Sequence, residues 1–437
     1  MLPPSEVRLL PKPRCLTTPR RQELLGAFRA SERRALVWIA AELGATGLLL
    51  AFAWGRVGAV PAWQSLVLFV AGALGMFDFL FTHWAGRRTG LEDVADQAIY
   101  GVHSGASLRR AVADVCRRMG LEGSRCQVSL VPDKAINAQA LRVGLLPGLH
   151  GIHAVTLNRS ILHLLNEEEL KYVIGHELGH VFVHAPISSR CLAVHALFAG
   201  ALSLAIGLVA AGSDWMIAAP LGGLAVARWL AFRTTAAQVQ QIEFLCDDCG
   251  ASVVGVIPAI TAIIKMGLEE EARSLLVCRV MEAKLADDDI PMAQLLAAYE
   301  SSLPFGSVVP AQTHDRLVEQ VRQLRRDGRQ MSLGGFFRSL FSEDDTDRDG
   351  LRTAVLAMRR AASVARVPVA AAEVVADPRH LAACVAAIED HPDRVLLGME
   401  EEIDDSRQGH PCTSRRLLFL WREALRSSPG QAGLGPV

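Results

Sequence analysis

Four apolar runs, of a length at which soluble helices normally show a polar face, constrain this chain more than any other feature. Ala35 to Trp54 is about 20 mainly apolar residues, the length needed to cross a bilayer, and Val60 to Trp84 is a second run. Among Asp, Glu, Lys and Arg, the two contain only Glu42 and Asp78. A third run, Cys191 to Ala211, breaks at Gly212-Ser213-Asp214, and a weaker fourth extends from Trp215 to Phe232 with Arg228 near its end. In lipid every backbone N–H and C=O must be paired within the segment, so such runs are read as helices, here as two transmembrane hairpins. Glu42 and Asp78 are candidates for facing each other or a polar cavity, and His195 in the second hairpin reads as a packed or hydrogen-bonded residue. Hydrophobic residues make up 51% of the 437, and the mean hydropathy of +0.25 exceeds that of most soluble domains.

Orientation follows from arginine. Arg20, Arg21, Arg29, Arg33, Arg34, Arg87, Arg88, Arg190, Arg228 and Arg233 fall on one side of the four-helix arrangement and Arg56 on the other, which puts the former side in the cytoplasm. Nine scattered cysteines with no framework spacing fit reduced thiols, and Cys246-x-x-Cys249 without a second such pair reads as small packed residues. A net charge of −1 and the lack of a basic, aromatic-interleaved stretch exclude a nucleic-acid partner. The expected organisation is a basic leader at 1–34, hairpins at 35–86 and 191–233, and a soluble domain divided between 87–190 and 234–330. An acidic linker and a helical region follow at 331–437.

Between the hairpins lies Asn166 to His184, NEEELKYVIGHELGHVFVH. Asn166 with Glu169 three positions on forms a capping box, and Leu170, Val173, Ile174, Leu178, Val181 and Phe182 recur at helical spacing. The helix carries His176-Glu177-Leu178-Gly179-His180, an HExxH. Residues four apart share a helix face about 6 Å apart along the axis, so both histidines can reach one tetrahedral Zn²⁺, with Glu177 placed as general base. His184, about 12 Å along the axis from His176, is too far for the same ion and reads as a surface or membrane-interface residue.

A third ligand has to be distal, and Glu243 is the best candidate. It stands directly after the second hairpin in an apolar helix, where an unpaired carboxylate is costly to bury. A chain that enters and leaves the membrane on one face returns to its starting point, which accounts for the long gap from His180. Asp247, one turn on, can accept the free N–H of a ligating histidine. The strand predicted at His150 to Leu157, with Ile152, Ala154 and Thr156, is the candidate edge strand for holding a substrate backbone; another strand is predicted at Cys126 to Pro132.

These residues resemble the HtpX and type-I CAAX prenyl endopeptidase family of membrane zinc metallopeptidases. The likeness rests on Asn137-Ala138-Gln139-Ala140, Glu168-Glu169-Leu170 before the HExxH, and the Glu243-x-x-x-Asp247 pattern. It implies a mainly α membrane protein with a zincin-like α+β domain, a small sheet plus the HExxH helix. Protein or peptide substrates, one Zn²⁺ per chain and a bilayer are implied with it. A later His410-Pro411 with Arg416, Leu417 and Leu420 matches a further family pattern and would bring His410 or Arg416 to the cleft. Thr313-His314 fits that pattern less well. Gln240 stands where the family commonly has Arg, and about 80 extra residues precede His410. The expected activity is peptide-bond hydrolysis. Alternatives are CAAX-type processing, a non-catalytic zinc-binding scaffold or chaperone-like protein, and a site-2-type protease, which the acidic approach to the HExxH disfavours.

Overall fold

The computed structural model describes residues 19–56, 58, 60–77, 88–121, 126–132, 138–143, 152–185, 191–267, 385, 389, 411 and 413–427. Two compact units divide the chain: Met1–Ala259 with Glu423–Val437, and Ile260–Arg422. The first is mainly helical with a small sheet, and it holds almost every described element.

Helix α1 (Pro19–Trp54) is continuous, so residues 19–34 are its first half and not a separate leader. One stripe is buried along its whole length, from Leu24, Phe28 and Ser31 through Ala35 and Ile39 to Glu42, Thr46 and Ala53. The opposite face changes character along the helix. Arg20, Glu23, Arg29, Arg33 and Arg34 are exposed in the first half, and Leu36, Val37, Leu43, Leu48 and Phe52 in the second. Helix α2 (Ala62–Gly75) follows, one of two shorter apolar helices. Asp78 lies outside the described residues.

Helix α1 and helix α6 (Leu192–Val209) are long and apolar enough to cross a membrane. They meet at a buried polar contact, where His195 Nδ1 lies 2.6 Å from Glu42 Oε2. The Thr46 hydroxyl donates to the Glu42 carbonyl at 2.7 Å, and Cys191, Ile39 and Val194 cluster nearby. Glycines set the approach of α6 to its neighbours: a Cβ on Gly72 would fall 2.1 Å from Ser203 Oγ, and one on Gly200 would fall 2.8 Å from the Phe69 carbonyl.

The fourth apolar run and the candidate third-ligand helix prove to be one element. Helix α7 (Ala219–Val254) begins with Pro220 in its first turn, where a missing N–H costs nothing, and runs 36 residues to Gly255 at φ 90°. Helices α8 (Val256–Gly267) and α9 (Thr413–Ser427) complete the described set.

The sheet belongs to the first unit. Strands β1 (Thr89–Gly90), β4 (Gln127–Val131), β5 (Ala138–Val143) and β6 (Ile152–Asn158) stand in the order β1, β4, β6, β5. Strand β6 is parallel to β4 and antiparallel to β5. A two-stranded ribbon, β2 (Ile99–Tyr100) with β3 (His103–Ser104), precedes α3 (Gly105–Arg118). After β6 come α4 (Arg159–Leu164) and α5 (Glu167–Leu178).

The edge-strand expectation is overturned by this order. Ile152, Ala154 and Thr156 lie on an inner strand with partners on both sides: Ala154 pairs with Gln127 and Leu141, and Thr156 with Ser129 and Gln139. Alternation in the sequence reports a half-buried strand but not its place in the order. Among the described residues β5 is the edge beside it.

Candidate metal centre

Helix α5 starts with the expected capping box, Asn166 Oδ1 accepting from the Glu169 N–H and Glu169 Oε2 from the Asn166 N–H. The helix is buried almost all round. Even Lys171 is covered, its ammonium held by Glu168, Glu167 and Asp114 at 2.8, 3.0 and 3.2 Å. The next turn, Gly179–Val183, widens into a π-helical turn closed by the His184 N–H donating to the Gly179 carbonyl. Such wide turns recur at functional sites, and His180 sits in this one.

Small residues allow α7 to approach this segment. A Cβ on Gly175 would lie 3.1 Å from Gly250 Cα, and one on Gly179 would lie 3.2 Å from Cys246 Sγ and 3.3 Å from Cys249 Cβ. The CxxC thus packs as small apolar residues against the HExxH helix, with both cysteines buried and neither in a disulfide. The sequence distance between His180 and Glu243 is spanned by this crossing.

His176 Nε2 and His180 Nε2 lie 3.1 Å apart. Glu243 Oε2 is 3.3 Å from the first and its Oε1 3.2 Å from the second. Donors at about 2.05 Å from a tetrahedral Zn²⁺ are about 3.3 Å apart, so the spacing of the three suits one ion. These three are the one group of His, Cys, Asp and Glu side chains among the described residues that could hold a metal ion. Charge supports the fit: burial alone would discharge His176, but Asp247 and Glu243 outweigh it and push the imidazole up to about 10. Two carboxylates here demand a cation, as a proton on His176 or as a metal in its place.

Behind the donors, Asp247 Oδ1 lies 2.9 Å from His176 Nδ1 and accepts the Tyr172 hydroxyl at 2.7 Å. Both residues are buried, Asp247 completely. In the sequence Tyr172 carries one legible signal, its position a turn before His176. Glu177 is 8% exposed beside the donors, and the His180 side chain, at 21%, is the most open of the set.

His184 stays outside the cluster, but it is buried and not a surface residue. Its ring meets Phe28 of α1 edge-on with centroids 5.9 Å apart. Burial, with Arg21 and His180 adding, holds its pKa down to about 3, so it is neutral. Arg21 in turn lies 2.7 Å from Asp248 of α7, so the first half of α1 braces both helices of the site. Arg416 lies on α9 in the second unit, whereas His410 and His314 lie outside the described residues.

Residues 103–251, which include all three donors, Glu177 and Asp247, match the profile of Peptidase family M48. That stretch of the chain is similar to this family. A protein named "Protease HtpX homolog" from Pyrococcus furiosus is 29% identical over 242 residues, covering 52% of this chain and 79% of the relative. Another of that name from Thermococcus kodakarensis is 34% identical over 115 residues, or 26% of this chain and 37% of the relative. A third, from Bacteroides fragilis, is 30% identical over 93 residues, with 21% and 26% covered. No solved structure matches. The match and the names of these relatives indicate a peptidase, and the part of the chain that the match covers is the part that builds the donor cluster.

Proposed function

We propose that this chain is a membrane-embedded zinc endopeptidase that hydrolyses peptide bonds of protein substrates. The observation that carries the reading is the triangle of His176 Nε2, His180 Nε2 and a Glu243 carboxylate with edges of 3.1 to 3.3 Å, backed by Asp247. His176, His180 and Glu243 would hold the ion. Zn²⁺ would supply a Lewis acid that makes water acidic and polarises the scissile carbonyl.

The remaining chemistry belongs to the chain's own side chains. Asp247 accepts the Nδ1 proton of His176, which fixes the tautomer and turns Nε2 toward the ion. Glu177 takes a proton from the attacking water and later delivers it to the leaving amine. Strand β5, which lies beside α5 and is tied to the π-helical turn by Arg142 donating to the Val181 carbonyl, offers its outer edge to an extended substrate. Two apolar helices of spanning length and the one-sided arginines support a place in the cytoplasmic membrane with the site facing the cytoplasm.

Glu177→Gln tests the assignment directly. The variant should keep one Zn²⁺ per chain by elemental analysis and lose about 10²- to 10⁴-fold of its casein cleavage. Full cleavage by this variant, or cleavage by the wild type that survives exhaustive chelation, would overturn the reading.

A further inference from the structure

We infer that the metal centre stands about 20 Å out from the membrane surface, which makes the protein selective for the position of the scissile bond. A substrate anchored in the same bilayer would be cut only where about six or more extended residues separate the bond from the anchor. The inference rests on the proposed membrane and peptidase reading and adds a height to it.

The membrane surface is marked on α1 and α7 independently. On α1 the exposed face changes from Arg33 and Arg34 to Leu36 and Val37, and Trp38 follows at 51% exposure. On α7, Trp229 is 55% exposed beside Arg228, whose guanidinium donates to the carbonyl of Gly75 at the end of α2. Exposed tryptophan beside arginine, at the end of an apolar stretch, is the signature of the lipid–water interface. The opposite surface is marked by Trp54, Trp63 and Trp215, at 80%, 65% and 77% exposure. Trp38 and Trp54 are sixteen residues apart on one helix, about 24 Å, and α6 spans about 27 Å. Both lengths approach the roughly 30 Å of a hydrocarbon core.

The same two helices measure the height of the site. Glu243 lies fourteen residues beyond Trp229 on α7, about 21 Å along the axis. Helix α1 runs the other way and gives a second measurement. Arg21 lies seventeen residues before Trp38, about 26 Å, and its partner Asp248 lies nineteen residues beyond Trp229, about 28 Å. Because Arg21 and Asp248 meet at 2.7 Å, the two tryptophans stand at one level to within about 3 Å. Phe28, about 15 Å from Trp38, meets His184 on the membrane side of His180, which agrees with a donor cluster near 20 Å.

Two measurements test the height. The protein, loaded with Cu²⁺ and reconstituted into phosphatidylethanolamine and phosphatidylglycerol vesicles with nitroxide-labelled headgroups, should give dipolar distances that begin near about 20 Å. Contacts at about 10 Å or less would overturn the inference whatever the activity. In the second, one cleavable sequence is placed about 2, 6, 10 and 15 residues from a single spanning helix, with the free peptide as reference. The free peptide and the two longest spacings should be cut, and the shortest should resist by at least tenfold. Equal cutting at every spacing would overturn the inference and leave the peptidase reading standing. Failure to cut even the free peptide would overturn the peptidase reading, and the dipolar distance would still decide the height.

Discussion

The hydroxyl of Tyr172 donates to Asp247 Oδ1 at 2.7 Å, and that same oxygen lies 2.9 Å from Nδ1 of His176. Two helices distant in sequence are thereby joined through one carboxylate oxygen that no solvent reaches. The tyrosine helps fix the rotamer of the group that, in the proposed site, would orient a metal donor. Outer partners of this kind commonly change metal affinity by 10- to 100-fold. Tyr172→Phe, which keeps the ring, should therefore weaken Zn²⁺ binding by about 10-fold or more in chelator competition. A cycle with Asp247→Asn should be non-additive; additive losses would show that the hydroxyl acts elsewhere.

Gly250 is the place where the tyrosine needs room. A Cβ there would fall 2.7 Å from both the ring and the carbonyl of Tyr172. Gly250→Ala should cost about 1–3 kcal/mol through overpacking, read as a lower denaturant midpoint, and should weaken metal binding together with stability. Unchanged stability would mean that α5 and α7 are less closely packed than described.

The pH dependence of the metal-free protein should be a dome with two assignable limbs. The pKa of His176 is raised from 6.5 to about 10, so its contribution is complete below about pH 6.5 and is lost as pH rises through about 10. The pKa of His184 is lowered from 6.5 to about 3, so its contribution is present above about pH 6.5 and is lost as pH falls toward about 3. Melting temperature measured against pH should show both limbs. His184→Phe should flatten the acid limb alone, and Zn²⁺, which takes the place of the His176 proton, should flatten the alkaline limb.

Glu42 and His195 pair at 2.6 Å with both side chains about 4% exposed. Removing one partner strands the other in an apolar interface, so Glu42→Leu should cost about 3–5 kcal/mol in thermal unfolding in detergent. The double change Glu42→Leu with His195→Leu should recover much of that loss. A double variant as unstable as the single would show that the pair does more than satisfy itself.

Local features were legible because their physics is local. The capping box at Asn166 and Glu169, the shared face of His176 and His180, and the spanning length of the first and third apolar runs each follow from a few neighbouring residues. Glu243 and Asp247 could be singled out because a carboxylate in an apolar helix needs a partner. The extent of the helices was harder to read. Arginine-rich sequence before Ala35 looks like a leader, and the place of residues 19–34 in the first half of α1 depends on Leu24 and Phe28 burying themselves in this fold.

By itself, then, the sequence determined an HExxH helix set between apolar segments, with an acidic partner due from beyond the later ones. Only the tertiary structure decided that β6 is an inner strand and β5 the edge, since strand order depends on pairings between distant segments. It alone made Tyr172 part of the site and seated His184 under Phe28. It also joined the apolar and ligand-bearing halves of α7 into one rod. Each of these depends on which surfaces meet, and a residue's own neighbours in sequence carry no record of that.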